Sequence, residues 1–80
     1  MSDQEILETL TRIVRDLTGN DDVTLSAEMS GRDVPKWDSA TFINFVVAVE
    51  MEFRVKFSLA EIESLDKFGD VVTCVMKLKK

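Results

Sequence analysis

The chain has 80 residues, 45% of them hydrophobic and 31% charged, the make-up of one globular domain too small to wall off a deep catalytic cleft. Its formal charge of −5 lies entirely in the first half, where nine acids face four bases, against six of each in residues 41–80. A surface of that sign repels nucleic-acid phosphates and suits a partner with basic residues.

The chain has no histidine and one cysteine, Cys74, so it lacks both a metal-ligand set and an intramolecular disulfide. The opening MSDQEILETL has neither the basic nor the apolar region of a signal peptide, and the longest apolar run, FVVAV at 45–49, is too short to span a bilayer. A cytoplasmic monomer without a membrane span is expected.

Ser2 and Glu5 form a capping-box pattern that opens a first helix. Ile6, Leu7, Leu10, Ile13, Val14 and Leu17 recur at helical spacing as one core-facing stripe. Gly19 suits the left-handed residue that ends it. From Asn20 to Trp37 the periodicity is lost among Asp, Ser, Gly and Pro, with Val23, Leu25, Met29 and Val34 available as anchors. The acids Asp21, Asp22 and Glu28 lack calcium-loop spacing and read as solvated.

A second helix begins at Asp38 or Ser39, both good N-caps, and runs to about Phe53. It is apolar almost all round, which places it centrally, and its five β-branched residues leave packing rather than propensity to hold it. Ser58 with Glu61 caps a short third helix through roughly Leu65. Asp66 is expected to cap a fourth, whose Phe68, Val71, Val72, Val75 and Leu78 face the core. Cys74 reads as a small buried hydrophobe. The fold class is all-α: a four-helix bundle with a long loop between helices 1 and 2 and a short third helix, in a single domain, 1–80.

Nothing here is catalytic. Ser39 has no histidine to activate it and no nucleophile elbow around it. A serine at a helix start is either a plain cap or an exposed hydroxyl that another enzyme can modify. A phosphate group there would meet the free amides and the positive end of the helix dipole.

The stretch DSATFINFVVAVEMEFRVKF, followed by LAEIESLDKFGDVVTCV, resembles the acyl carrier protein family over essentially the whole chain. In that family a D-S-L motif opens the second of four helices after a long loop. The resemblance implies that Ser39 carries a 4'-phosphopantetheine arm taken from coenzyme A and installed by a phosphopantetheinyl transferase. Acyl-activating and acyl-transferring enzymes are the other implied partners. The arm's thiol would hold acyl intermediates as thioesters, so the chain would be a carrier and not an enzyme. The implied partner-recognition residues are Asp38, Ala40, Ile43, Val47, Glu50 and Glu52.

The sequence departs from the family pattern at several positions. Ala40 stands for the usual leucine, Thr41, Asn44 and Met51 stand at frequently acidic positions, and Arg54 replaces a glycine. These departures point to a specialised lipid or secondary-metabolite pathway rather than general fatty-acid synthesis. Other readings stay open: an aminoacyl or peptidyl carrier, a carrier fold that has lost its arm, or a helical protein-interaction module with no prosthetic group. Trp37 is expected to pin the loop to the bundle. Phe42, Phe45, Phe57 and Phe68 are expected to fill the interior and leave a long acyl chain no room.

Overall fold

The computed structural model describes residues 2–79. Four helices follow one another: α1 (Asp3–Thr18), α2 (Ser39–Phe53), α3 (Leu59–Glu63) and α4 (Phe68–Leu78), with a single 3-10 turn at Gly31–Asp33. Helix α1 starts on the reciprocal Ser2–Glu5 box and ends on Gly19 at φ 68°, whose N–H returns to the Arg15 carbonyl. It packs against both α2 and α4. Ile6, Leu10, Ile13 and Val14 of α1 meet Phe45, Val46, Val49 and Phe53 of α2 and Phe68, Val71, Val72 and Val75 of α4 in one buried core. The stripe of α1 frays at its end. Leu17 lies exposed, and Leu7 is only partly buried.

The segment from 20 to 38 is ordered by two sets of contacts. Val23, Leu25 and Val34 are buried in the core. Arg15 Nε donates to the Val23 carbonyl at 2.6 Å, and the Leu25 N–H donates to Thr11 Oγ1 at 3.3 Å. At its far end the loop serves α4, because the N–H groups of Phe68 and Gly69 donate to the Met29 and Ala27 carbonyls at 2.8 and 2.9 Å. Two amides that a helix start ordinarily leaves without partners are thereby satisfied. A Cβ on Gly69 would sit 2.9 Å from the Ala27 carbonyl oxygen, so this approach needs glycine.

Three expectations are corrected. The N-cap of α4 is Lys67, not Asp66. The Asp70 carboxylate reaches back to the N–H groups of both Asp66 and Lys67 (3.0 and 2.9 Å), and an antiparallel bridge to Ser30 holds Lys67 extended. Helix α3 closes at Ser64, whose N–H and hydroxyl both turn back onto the Glu61 carbonyl. Finally, α2 is not buried all round: Ile43, Val47 and Met51 are 56%, 47% and 75% exposed.

Candidate functional site

Asp38 is the N-cap of α2, and Ser39 is its first helical residue. The Asp38 carboxylate accepts from the Thr41 N–H and from the Thr41 hydroxyl, both at 2.8 Å. Those two bonds, the backbone one foremost, hold the Asp38 carboxyl below the usual aspartate range. Capping by Asp38 removes the plain-cap reading of Ser39, whose side chain stands exposed at the loop edge with the cap already made.

The approach to this point is a tight turn. The Trp37 N–H donates to the Val34 carbonyl at 3.3 Å, with Pro35 and Lys36 between them and Lys36 at φ 67°. Proline first and a left-handed residue second is the signature of a type II turn, in which glycine or asparagine usually takes the second place. Trp37 then turns inward. Its ring centroid lies 6.5, 5.5 and 5.7 Å from those of Phe42, Phe45 and Phe68, each pair edge-to-face. The indole pins the loop to α2 and α4, as the sequence leads one to expect.

Along α2 the residues divide into two opposite faces. Phe45, Val46, Val49 and Phe53 are buried, while Ala40, Ile43, Asn44, Val47 and Met51 are exposed and share the outer face at helical spacing. Asp38 and Ser39 stand at its N-terminal end. The two acids expected on this face are engaged elsewhere. Glu50 is half-buried, and its Oε2 accepts from the Phe57 N–H at 2.8 Å, holding the α2–α3 connection. Glu52 pairs with Arg12 of α1 at 2.9 Å. The structure therefore groups Asp38, Ser39, Ala40, Ile43 and Val47, adds Met51, and sets Glu50 and Glu52 on the flanks with partners of their own.

The aromatic side chains do not fill the interior completely. Phe45, Phe57 and Phe68 are buried, whereas Phe42 is only partly covered. An open cavity of about 370 Å³ remains between the Ser30–Arg32 turn, Trp37, α2 and the start of α4. Cys74 is buried as expected, and its thiol donates to Glu61 Oε2 across 3.6 Å. Burial first, and then the neighbouring Glu61 carboxylate, push the thiol pKa up. Among the described residues no three His, Cys, Asp or Glu side chains gather to hold a metal ion, and no helix is long and apolar enough to cross a membrane.

The structure is thus a small helical bundle that displays an exposed serine at the start of its second helix. No model of a known family matches the chain, but individual proteins do. The meromycolate extension acyl carrier protein of Mycolicibacterium aurum is 30% identical over 79 residues, covering 99% of this chain and 81% of its own. Its namesake from Mycobacterium leprae is 28% identical over 80 residues, covering 100% of this chain and 70% of its own. The solution structure of holo acyl carrier protein from Geobacter metallireducens superposes with a TM-score of 0.84 at 34% identity, covering 91% of this chain and 84% of that one. The chain belongs to the acyl carrier protein family. Membership makes it a carrier and implies a phosphopantetheine prosthetic group, which the exposed, uncommitted Ser39 hydroxyl is suited to hold.

Proposed function

We propose that the 80 residues act as one cytoplasmic, monomeric carrier domain that bears 4'-phosphopantetheine on Ser39 and presents acyl groups to the enzymes of a specialised lipid or secondary-metabolite pathway. The observation that carries this reading is the division of labour at the α2 start: Asp38 makes the cap, and the Ser39 hydroxyl is left exposed. In the loading step a phosphopantetheinyl transferase joins Ser39 Oγ to the pantetheine-bearing phosphorus of coenzyme A. The diphosphate bond breaks, adenosine bisphosphate leaves, and the serine proton passes to the transferase. The attached group supplies the thiol on which acyl groups ride as thioesters. The protein supplies the anchor point, the amide-rich helix end beside the phosphate, and the surface that partners grip.

That surface is the outer face of α2. With Glu50 held by the Phe57 N–H and Glu52 in a surface pair with Arg12, contact there falls mainly to Ala40, Ile43, Val47 and Met51, with Asn44 among them and Asp38 as the acid nearest the attachment point. An apolar face of this kind favours partners with a complementary apolar patch over partners steered by charge. This supports a dedicated set of transferring enzymes rather than those of general fatty-acid synthesis.

Attachment is tested by incubating the protein with coenzyme A and a phosphopantetheinyl transferase, then digesting with trypsin. Cleavage after Lys36 and Arg54 isolates residues 37–54, in which Ser39 and Thr41 are the hydroxyl-bearing residues. Fragmentation should place the added group on Ser39. A group on any other residue, or on none, contradicts the assignment.

A further inference from the structure

Trp37 and Phe42 are the two aromatic residues that the fold leaves partly exposed, while Phe45, Phe53, Phe57 and Phe68 are buried. Both open on the same cavity of about 370 Å³. They also bracket the attachment point in the sequence, Trp37 two residues before Ser39 and Phe42 about one helical turn after it.

Its floor is closed. Phe45 and Phe68 meet edge-to-face with ring centroids 5.6 Å apart and are 1% and 3% exposed. Val49 and Val75 of the same core are 0% exposed. One wall depends on Gly31, where a Cβ would overlap the indole of Trp37. The mouth carries Arg32 and Lys67 beside one acid, Asp66, which Arg32 approaches at 3.9 Å. The result is a shallow chamber with aromatic walls, a closed floor and net positive charge at its rim.

We propose that this chamber holds the acyl group carried on Ser39, and that it selects a short acyl group with a planar, aromatic or conjugated end over a straight alkyl chain. The proposal rests on Ser39 being the attachment site. A flat ring can lie edge-to-face or offset against Trp37 and Phe42, the arrangement that aromatic quadrupoles favour. A straight chain needs depth. To find it, the chain must part Phe45 from Phe68 and forfeit dispersion contacts already made at native packing density. Tethering keeps the group at millimolar effective concentration, so modest contacts are enough to hold it.

Trp37 is the only tryptophan, so its emission and its indole N–H resonance report directly on the chamber. Coenzyme A thioesters of acetic, hexanoic, cyclohexanecarboxylic, benzoic and dodecanoic acids are loaded by a transferase, and intact mass verifies each product before spectra are taken. The benzoyl form should show the largest blue shift of emission and the largest displacement of the indole cross-peak. The cyclohexanecarbonyl and hexanoyl forms should lie well below it and the acetyl form near the unacylated protein. Gly31→Ala, which dislodges the indole, and Phe42→Leu, which keeps an apolar wall without a ring, should each erase the benzoyl preference. Equal responses to benzoyl and cyclohexanecarbonyl, or a response that grows from hexanoyl to dodecanoyl, overturn the proposal. Failure to load is a separate result: it overturns the Ser39 assignment and the chamber's cargo together.

Discussion

Replacing Arg54 by glycine should stabilise the protein. Arg54 closes α2 at φ 57° and ψ 46°, with its N–H bonded to the Glu50 carbonyl. The left-handed region costs a residue with a Cβ about 1–2 kcal/mol. Glycine avoids that cost, but the greater freedom of its unfolded chain takes back about 0.5–1 kcal/mol. The net gain is then roughly 0.5–1 kcal/mol, which for a domain of this size raises the melting temperature by about 2–8 °C. Little is lost with the side chain: Arg54 is exposed, and the ion pairs among the described residues join Arg12 to Glu52 and Arg32 to Asp66. Thermal and urea melts of Arg54→Gly and Arg54→Ala make the comparison, since alanine keeps the unfavourable dihedral. An alanine variant that melts as high as the glycine variant would refute the reasoning, because the gain would then come from losing the arginine and not from the backbone.

Glu50→Ala should cost about 1–3 kcal/mol in urea unfolding, because it strips the acceptor from a part-buried N–H. Glu52→Ala, which breaks an exposed pair, should cost about 1 kcal/mol or less, and equal losses would contradict the distinction. Stability should fall in acid. Glu5, Asp38, Glu61 and Asp70 all have depressed carboxyl pKa values, caused first by backbone N–H bonds at helix starts. Groups lowered in the folded state stabilise in full above the unfolded carboxylate range, about 4, and lose that contribution as pH drops through their lower folded values. Unfolding free energy measured from about pH 6 down to pH 2 should therefore decline mainly below pH 4, with a shallower decline in Asp38→Asn; an unchanged slope there contradicts the cap assignment. With a dedicated acyl-transferring partner, Val47→Ser should lower turnover while salt has little effect, and a steep salt dependence would show that charge steers docking after all.

The helix starts were largely legible in the sequence because capping is local. Ser2 with Glu5 and Ser58 with Glu61 stand three residues apart and form the boxes that their spacing implies. The same local logic misplaced the cap of α4, because the deciding groups include Ser30 and Met29, far upstream in the loop before α2. Glu50 and Glu52 illustrate the wider limit. Their partners, the Phe57 N–H and the Arg12 guanidinium, come near only once the bundle is folded, so the sequence shows two acids on a helix but not that both are engaged. Ser39 itself was readable as a helix-start serine. That Asp38 rather than Ser39 makes the cap needed the geometry, since either residue type serves equally well. The cavity beside Trp37 was not legible at all: the phenylalanines suggest a filled interior, and only the positions of Trp37, Phe42, Phe45 and Phe68 reveal the space they line.

The central claim is that Ser39 is the point at which acyl groups are carried. The most direct measurement is the intact mass of the wild-type and Ser39→Ala proteins after incubation with an acyl-coenzyme A and a phosphopantetheinyl transferase, taken before and after mild hydroxylamine. The wild-type protein should gain one acyl-phosphopantetheine unit and then lose only the acyl part to hydroxylamine, as a thioester does, while Ser39→Ala keeps its fold and gains nothing. An equal gain by Ser39→Ala, or a wild-type protein that stays unmodified, would contradict the account.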